Sequence, residues 1–314
     1  MNSTRNSAEN KATIPVLVGP TASGKTAVAF RLAEQIPGLE LISADSRQIY
    51  RHLRLGTDKP SPEEIEKYSI RLVDFVEPGQ RYTAFDFIED ARRAITLARE
   101  AGQKPFVVGG TGLYIKALIE GMVEIPDDDL AIRERLEKEA VEKGPEYLHR
   151  ELEKIDPMEA VKIHPHNIKR LVRALEIFYI TGKSKSELIY GNLGGENEYD
   201  YRAICLMPPR EILYRRINER VDRMIAGGLP DEIKMLIEAG LKEDVAGVNV
   251  IGYNELFRHI DGELSLDEAV SLIKINTRHF AKRQITWYRG MADMAYLDGP
   301  EAVAEYFLRF WAEK

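Results

Sequence analysis

The sequence predicts an α/β protein in which a mainly parallel β-sheet core is interrupted by an all-helical insertion. Strand-like and helix-like stretches alternate from the N-terminus to about residue 123, which is typical of βαβ units and of a parallel sheet covered on both faces. A glycine-rich turn joins the first strand to the first helix. From Asp127 to about Tyr199 the pattern is only helical, and strand-like sequence resumes after it.

The predicted strands are short apolar runs that end at turn residues. They are Thr13–Val18, Leu39–Ala44, Ile70–Val76, Lys104–Val108, Tyr201–Met207 and Met294–Leu297. Helices are predicted at Thr26–Gln35 and at Ala84–Ala101, where apolar side chains recur with i, i+3, i+4 spacing. The C-terminal third is otherwise predicted to be helical.

The insertion is predicted to contain three helices. Apolar residues recur every fourth position from Ile132 to Ala140. Pro145 favours the start of a second helix, and Asn167 can cap a third that ends at Gly182. We therefore expect a flexible tail at residues 1–12, a core with C-terminal helices at 13–123 plus 201–314, and a helical insertion at 124–200.

Composition excludes several classes of protein. The 314 residues include 44 Lys and Arg and 51 Asp and Glu, so the formal net charge is −7. By itself that balance argues against a general nucleic-acid binder, which is usually basic, but the objection stays open until the distribution of the charges is considered. No apolar run approaches the ~18–20 residues needed to cross a bilayer, and the N-terminus has no secretory signal. The single cysteine, Cys205, permits neither an intramolecular disulfide nor a cysteine zinc cluster, so we expect a cytoplasmic protein without membrane association.

Residues 19–26, GPTASGKT, match the phosphate-binding pattern G-x-x-x-x-G-K-[ST] between a predicted strand and a predicted helix. The glycines let successive backbone N–H groups face one anion, and the helix adds its positive N-terminal end. Lys25 supplies a cation for phosphate oxygens, and the Thr26 hydroxyl can ligate Mg²⁺. A P-loop NTPase-like core that binds a di- or triphosphate is therefore predicted. The phosphate loop consists of Gly19, Pro20, Thr21, Ala22, Ser23, Gly24, Lys25 and Thr26.

Two further loops leave the carboxyl ends of predicted strands. They are Ala44–Tyr50, ADSRQIY, and Gly109–Tyr114, GGTGLY. Ligands of parallel α/β sheets bind beyond these strand ends, so we expect both loops to meet the phosphate loop in one crevice. Asp45 can act there as a general base or hold a Mg²⁺-bound water. The alternative role for Asp45 is a cap on the helical segment that follows it.

Basic residues are concentrated in two stretches that contain no acid, residues 162–173 and 276–289, each with four Lys or Arg. Lys169, Arg170 and Arg173 share one side of the predicted third helix of the insertion. In the second stretch a helix aligns Arg278, Lys282 and Arg289 with Lys274 and turns Phe280 and Trp287 inward. Two such stretches suit a polyanion held in a cleft between core and insertion.

Three other features have weaker implications. An arginine-rich helix carries Arg215, Arg216, Arg220 and Arg223, one of which can clamp the phosphates. His164 and His166 flank Pro165, but no third metal ligand stands at a suitable spacing, so surface or RNA-facing histidines are favoured. Cys205 lies in an apolar run and is expected in the core.

Taken together, the motifs resemble the tRNA dimethylallyltransferases of the bacterial type, also called isopentenyl-diphosphate:tRNA transferases. The resemblance spans the chain except for the N-terminal tail, and the zinc finger of the eukaryotic members is missing. The matching strings are GPTASGKT (19–26), ADSRQIYRHLRLGTDKP (44–60), VVGGTGLYIKAL (107–118), HPHNIKRLVRALEIF (164–178), INERVDRMIAGGLPDE (217–232), VIGYNEL (250–256) and TRHFAKRQITWYRG (277–290).

The resemblance implies transfer of a dimethylallyl group from dimethylallyl diphosphate to the exocyclic amine of the adenine 3′-adjacent to the anticodon, at position 37 of tRNA. The phosphate loop would then hold the pyrophosphate of the allylic substrate, with Mg²⁺ as cofactor, and not a nucleotide. The implied partners are the diphosphate and the anticodon stem-loop of tRNA, with a monomer as the default state.

The resemblance also implies roles for individual residues. Asp45 would be the catalytic base, Thr26 the metal and phosphate ligand, and Arg220 the pyrophosphate clamp, with Lys25 completing the catalytic set. Implied RNA contacts are Asp45, Ser46, Arg47, Gln48, Thr111, Arg133, Lys169, Arg170 and Arg173. The second basic stretch adds Arg278, Lys282 and Arg283 to the predicted RNA contacts.

This chemistry is physically consistent with those residue types. An allylic diphosphate ionises readily, so the protein has mainly to neutralise the departing pyrophosphate. The adenine amine is a poor nucleophile, and a carboxylate that accepts its N–H raises its reactivity. Three alternatives remain open at this point: a small-molecule kinase using ATP, a prenyltransferase acting on free adenine nucleotides, and a non-enzymatic P-loop RNA-binding protein.

Overall fold

The computed structural model describes residues 11–122, 129–191, 197–292 and 294–313, without the side chains of residues 190 and 191. The expected tail at residues 1–12 therefore lies largely outside the described residues. The chain divides into two compact units, Met1–Glu120 with Asn197–Lys314 and Gly121–Glu196. No helix in the described part of the chain is long and apolar enough to span a membrane.

The first unit contains a parallel six-stranded sheet with the strand order β3-β2-β4-β1-β5-β6. The predicted α/β fold class is thereby confirmed. In the centre of the sheet, Val18 of β1 pairs with Gly109 of β4 and with Cys205 of β5. The strands are β1 (Thr13–Val18), β2 (Leu39–Ala44), β3 (Ile70–Arg71), β4 (Lys104–Gly109), β5 (Asp200–Leu206) and β6 (Ala295–Leu297).

Helices make up most of the remaining described structure. In chain order they are α1 (Lys25–Gln35), α2 (Pro62–Lys67), α3 (Ala84–Glu100), α4 (Gly112–Glu120), α5 (Leu130–Lys143), α6 (Pro145–Ile155), α7 (Pro157–Ala160), α8 (Ile168–Thr181), α9 (Lys185–Gly191), α10 (Arg210–Ala226), α11 (Leu229–Glu238), α12 (Lys242–Val248), α13 (Tyr253–Ile260), α14 (Leu266–Arg289) and α15 (Pro300–Ala312).

Two apolar clusters position the loops at the carboxyl edge of the sheet. In one, Leu17, Leu32 and Phe106 pack with Phe307 of α15, which fixes α1 against the strands. In the other, the segment after β2 packs on α11 and α13. There the buried carboxylate of Glu232 accepts hydrogen bonds from the backbone of residues 54 and 55 and from the Tyr253 hydroxyl. The segment after β2 is therefore held by buried polar contacts as well as by apolar packing.

Helices α5 to α9, joined by short turns, are the regular secondary structure of the second unit in its described residues. Its core contains Leu148 and Leu152 of α6 together with Leu171 and Leu175 of α8. The predicted helix starts are confirmed, since Pro145 opens α6 and the Asn167 side chain accepts from Arg170 N at the start of α8. In its described residues this unit thus contains helices and no strand, as the sequence predicts for the insertion.

The predicted strand Ile70–Val76 is wrong beyond its first two residues. The backbone φ angles of Leu72 and Asp74 are 60° and 62°, in the left-handed region that ends an extended strand. Val76 makes only an isolated parallel bridge to Tyr50. The segment instead supports the loop after β2, because Asp74 N donates to Gln48 O at 3.0 Å.

Candidate active site

The phosphate loop runs from the end of β1 to the start of α1. Gly19 has no room for a side chain, because a Cβ there would lie 2.7 Å from Leu206 O and 2.8 Å from Ser23 Oγ. Gly24 has φ 98°, which favours glycine, and α1 begins at the next residue. The turn therefore brings the N-terminal end of α1 to the loop, the arrangement that suits an anion.

Side chains from the C-terminal helices hold the phosphate loop. The Gln284 Oε1 of α14 accepts from Thr21 N at 2.8 Å. From α10, Arg216 Nη1 donates to Ser23 O at 3.0 Å and Arg220 Nη1 donates to Thr21 Oγ1 at 3.2 Å. Arg220 also pairs with the Asp58 carboxylate at 3.2 Å. Two guanidinium groups of α10 thus lie at the loop that the sequence predicts for phosphate.

Lys25 is the cation of the phosphate loop itself. Burial lowers the pKa of its ammonium group, and the nearby Asp45 carboxylate opposes that shift while the Arg220 charge adds to it. The Lys25 Nζ lies next to the GGTG loop, since a Cβ on Gly110 would stand 3.4 Å from it. An anion that binds here interacts more strongly with this poorly hydrated ammonium than it would with an ammonium exposed to water.

Asp45 follows β2 directly, and the segment after it, residues 46–49, forms a turn and not the expected helical segment. Its Oδ1 accepts from Arg47 N at 2.9 Å and from Gln48 N at 3.3 Å, which holds this oxygen against the backbone of the turn. Its Oδ2 accepts no hydrogen bond from the residues that the structure describes. One carboxylate oxygen is therefore used locally, and the other is available to a ligand in the same cavity.

The loop after β2 and the GGTG loop are joined by hydrogen bonds. Ser46 N donates to Thr111 Oγ1 at 2.8 Å, and that hydroxyl donates to Ser46 Oγ at 3.2 Å. Gln48 uses its Nε2 to donate to Asp58 O at 2.9 Å. The loop after β2 is thus held at Ser46 by Thr111 and at Gln48 by the backbone of Asp58, which lies further along the same segment.

A cavity of about 1020 Å³ lies where these loops meet. This volume matches that of ordinary small-molecule sites. Apolar side chains, among them Val221, Met224, Ile273 and Phe280, form part of its wall. Its polar lining includes Thr21, Gly24, Lys25, Thr26, Asp45, Ser46, Arg47, Gln48, Thr111, Arg220 and Gln284.

Helix α14 turns one face inward and another outward. The inward residues are Ile273, Ala281, Gln284 and Tyr288, at helical spacing. The predicted inward orientation of Phe280 and Trp287 is therefore wrong, because these side chains are 36% and 42% exposed. Both residues lie between the positions of α14 that pack into the core.

The basic residues of α14 are also divided between two faces. Lys274 pairs with Asp222 and Arg278 Nη1 donates to Asn218 Oδ1 at 2.8 Å, so both face α10. Lys282 and Arg283 are exposed instead, and neither makes an ion pair with any described residue. They line a shallow depression of about 680 Å³ together with Lys116, His279, Thr286, Trp287, Gly290 and Met291.

The basic residues of the insertion are mostly paired within it. Arg133 and Arg173 contact the fully buried Glu176 carboxylate at 3.1 Å and 2.7 Å. Arg170 lies 3.7 Å from Glu159, whereas Lys169 is exposed and forms no ion pair with the described residues. Among the described residues, which include His164 and His166, no group of three His, Cys, Asp or Glu is placed so that it could hold a metal ion. The predicted core position of Cys205 is confirmed, and burial raises its pKa to about 12.

Comparison with known proteins identifies the family. A model described as IPP transferase matches residues 48–291, and one described as isopentenyl transferase matches residues 12–74. The chain belongs to the IPP transferase family. A tRNA dimethylallyltransferase of Geobacter metallireducens is 44% identical over 292 residues, which cover 93% of this chain and 94% of the relative. The protein of that name in Geobacillus kaustophilus is 44% identical over 290 residues, covering 92% of this chain and 91% of the relative.

Solved structures agree with this IPP transferase assignment. The tRNA isopentenylpyrophosphate transferase of Bacillus halodurans has a TM-score of 0.68 and 38% identity, with 96% of both chains covered. A eukaryotic dimethylallyltransferase described as acting on tRNA has a TM-score of 0.77 and 29% identity, covering 91% of this chain and 74% of that one. These likenesses support the P-loop-like core.

In this IPP transferase the structure brings together most of the site residues that the sequence predicts for the core. Lys25, Thr26, Asp45, Thr111 and Arg220 line one cavity. The predicted RNA contacts Arg133, Lys169, Arg170 and Arg173 belong to the other unit. Sequence reasoning missed Gln284 and Asp58. Gln284 lies in a stretch that attracts notice only for its charge, and no sequence pattern indicates a partner 263 residues away.

Proposed function

We propose that this protein is a tRNA dimethylallyltransferase. It transfers the dimethylallyl group of dimethylallyl diphosphate to the exocyclic amine of the adenine at the 3′ side of the anticodon. Family membership over most of the chain supports the reaction class. The observation that carries the proposal is the meeting of three loops around one cavity, with cations at the phosphate loop and a carboxylate on the loop after β2.

The donor diphosphate binds at the phosphate loop in this proposal. Backbone N–H groups of the loop, Lys25 and Arg220 neutralise the charge that develops as the allylic C–O bond breaks. The lowered pKa of Lys25 supports this role, because a desolvated ammonium interacts strongly with an incoming anion, and a nearby anion favours its charged form. The apolar side of the cavity suits a hydrocarbon group attached to that anion.

Mg²⁺ is the proposed cofactor, and the donor set fits it. The Thr26 hydroxyl is exposed to the cavity, and Asp45 keeps one carboxylate oxygen outside the local hydrogen bonds. Mg²⁺ prefers oxygen ligands, keeps several waters and binds through one or two protein groups plus substrate phosphates. Thr26 would ligate it, with Asp45 holding one of its waters, and the ion would add positive charge at the diphosphate.

Asp45 is the proposed general base. The bonds from Arg47 N and Gln48 N orient the carboxylate, and its free Oδ2 accepts an N–H of the adenine amine. The amine nitrogen forms a bond to the allylic carbon, the C–O bond to pyrophosphate breaks, and the amine proton passes to Asp45. The adenine has to leave its stack to reach this cavity, as bases do in other enzymes that modify them.

The exposed residues Lys282 and Arg283, with Trp287 beside them, are proposed to contact the tRNA from the first unit. Lys169 is proposed to do so from the insertion, whose role in this account is RNA binding. Exposed cations suit the phosphate backbone, and an exposed aromatic ring suits an unstacked base. We further expect a monomer in a reducing, cytoplasmic compartment, in keeping with the buried thiol of Cys205.

The experiment that tests this function offers the protein labelled dimethylallyl diphosphate and Mg²⁺ with unmodified tRNA or with AMP, and follows ATP consumption separately. Label in tRNA alone is the expected result. Label in AMP would indicate a prenyltransferase for free nucleotides, and ATP turnover without prenyl transfer would indicate a kinase. Binding of tRNA with no transfer would indicate a non-enzymatic RNA-binding protein.

A further inference from the structure

Gln284 connects two loops of the site from the buried face of α14. Its Oε1 accepts from Thr21 N at 2.8 Å, and its Nε2 donates to Gly110 O at 2.7 Å. Both distances are those of good hydrogen bonds, and the side chain is 7% exposed. One carboxamide thereby joins the phosphate loop to the GGTG loop.

A glutamine is suited to this position by its chemistry. Its amide carries an acceptor and a donor in one plane, and each meets a backbone group of the opposite kind. The fit is also close, because a Cβ on Gly110 would lie 3.0 Å from Gln284 Nε2 and 3.4 Å from Lys25 Nζ. A carboxylate could bond Thr21 N but would face the Gly110 carbonyl oxygen without a proton to share.

The two hydrogen bonds of Gln284 connect the loop assigned to the leaving pyrophosphate with the loop that carries the proposed base. On one side, Thr21 also accepts from Arg220 through its hydroxyl, at the loop assigned to the pyrophosphate. On the other side, Gly110 is followed by Thr111, whose hydroxyl accepts from Ser46 N, next to Asp45. The path from Thr21 through Gln284, Gly110 and Thr111 therefore joins the leaving-group loop to the loop of the base.

We propose that Gln284 is a positioning residue that sets the spacing between the phosphate loop and Asp45. This inference rests on the proposed function and deepens it. Gln284 acts through Thr21 and Gly110 and does not read the RNA, although Arg283 beside it lies on the exposed face of the same helix. A displacement of about 1 Å between reacting groups can cost roughly 10²-fold in rate, so loss of the bridge lowers turnover more than binding.

The test compares Gln284→Met, which removes both bonds, with Gln284→Glu, which keeps the acceptor for Thr21 N. Thr96→Val on α3 is the matched control. It also removes two side-chain hydrogen bonds, those of Thr96 to Arg92 O and to the Tyr199 hydroxyl, but neither of them joins the loops of the site. Single-turnover transfer, affinity for inorganic pyrophosphate, affinity for tRNA and the thermal midpoint are measured for each. We expect transfer to fall roughly 10²-fold in Gln284→Met and less in Gln284→Glu, with tRNA affinity within about twofold of the unchanged protein.

Three outcomes would overturn the proposal. Transfer by Gln284→Met that is no lower than in Thr96→Val at a similar thermal midpoint would indicate a structural role only. A parallel loss of tRNA affinity and transfer would make Gln284 an RNA contact. If Gln284→Met does not fold, Gln284→Glu decides alone, and unchanged transfer there contradicts the proposal. Failure of the unchanged protein to label tRNA contradicts the proposed function itself, which separates the two cases.

Discussion

On α14, Lys282 and Arg283 are exposed and make no ion pair with a described residue, whereas on α8 Arg170 and Arg173 each lie near a carboxylate. The two basic stretches contain no acid within their own residues, yet their surroundings differ. Cations without a carboxylate partner can neutralise phosphates and release counterions directly. A cation that is already paired has to break its ion pair first, which costs free energy. We therefore expect the α14 surface to contribute more to RNA binding than the α8 surface.

The acids that pair with α8 come from outside its basic stretch. Glu159 of α7 contacts Lys162, Arg170 and Lys185. Glu176 lies one turn beyond Arg173 on α8, is fully buried, and also accepts from Asp129 N at 3.0 Å. Charge counted along the sequence is therefore a poor guide to charge on the surface. The arginines around Glu176 serve first to keep a buried carboxylate paired.

The largest effect on RNA binding is expected for Lys282→Glu with Arg283→Glu. The affinity for tRNA should fall by about 10–100-fold at low salt, because two cations that we propose to contact the RNA backbone become anions. The slope of log affinity against log salt should also become shallower by about one to two. Arg309→Glu, an exposed residue of α15, is the control for charge reversal. Equal effects of the two changes would remove the α14 surface from RNA binding.

A smaller effect is expected for Lys169→Glu in the insertion. Lys169 is exposed and has no ion pair among the described residues, so its reversal should weaken tRNA binding by about 3–10-fold. Lys162→Glu is the matched control, because Lys162 already lies 3.6 Å from Glu159. A loss at Lys162 that equals or exceeds the loss at Lys169 would contradict the ranking by pairing. Both affinities are measured by titration at two salt concentrations.

The smallest effect on RNA is expected for Arg173→Ala, which should change tRNA affinity by less than about threefold. Its main effect should be on stability, since Glu176 keeps Arg133 but loses its shorter contact. A cost of about 1–3 kcal/mol is expected for weakening a buried charged hydrogen bond. Hydrogen exchange of the α5 and α8 amides measures this cost locally. Strong loss of tRNA affinity with unchanged exchange would make Arg173 a direct RNA contact.

The sequence predicts much of the site because a parallel sheet gathers its loops at one edge. GPTASGKT, Asp45 and the GGTG loop each follow a strand, and the sheet order alone brings them close. What the sequence cannot predict depends on contacts between distant segments. Gln284 meets Thr21 across 263 residues without any motif, and Phe280 and Trp287 are exposed because the core selects other positions of α14.

The short strand β3 is a second case in which contacts with another segment decide a structure that the sequence pattern does not predict. The alternating residues of Ile70–Val76 predict a strand. In the structure, the backbone of residues 74–76 forms hydrogen bonds to the loop after β2 instead of continuing the sheet. Asp74 N and Val76 N both donate to that loop, at 3.0 Å to Gln48 O and Ile49 O. Side-chain patterning does not indicate which partner the backbone takes when a functional loop lies beside it.

Single-turnover transfer by Asp45→Asn tests whether Asp45 is the base of the reaction, with tRNA and pyrophosphate affinities measured on the same protein. Asparagine keeps an oxygen for the bonds from Arg47 N and Gln48 N, so the loop should hold its conformation. We expect transfer to tRNA to fall by about 10²–10⁴-fold while both affinities stay within about threefold. Transfer within about tenfold of the unchanged protein would contradict the role of Asp45 as the base at this site.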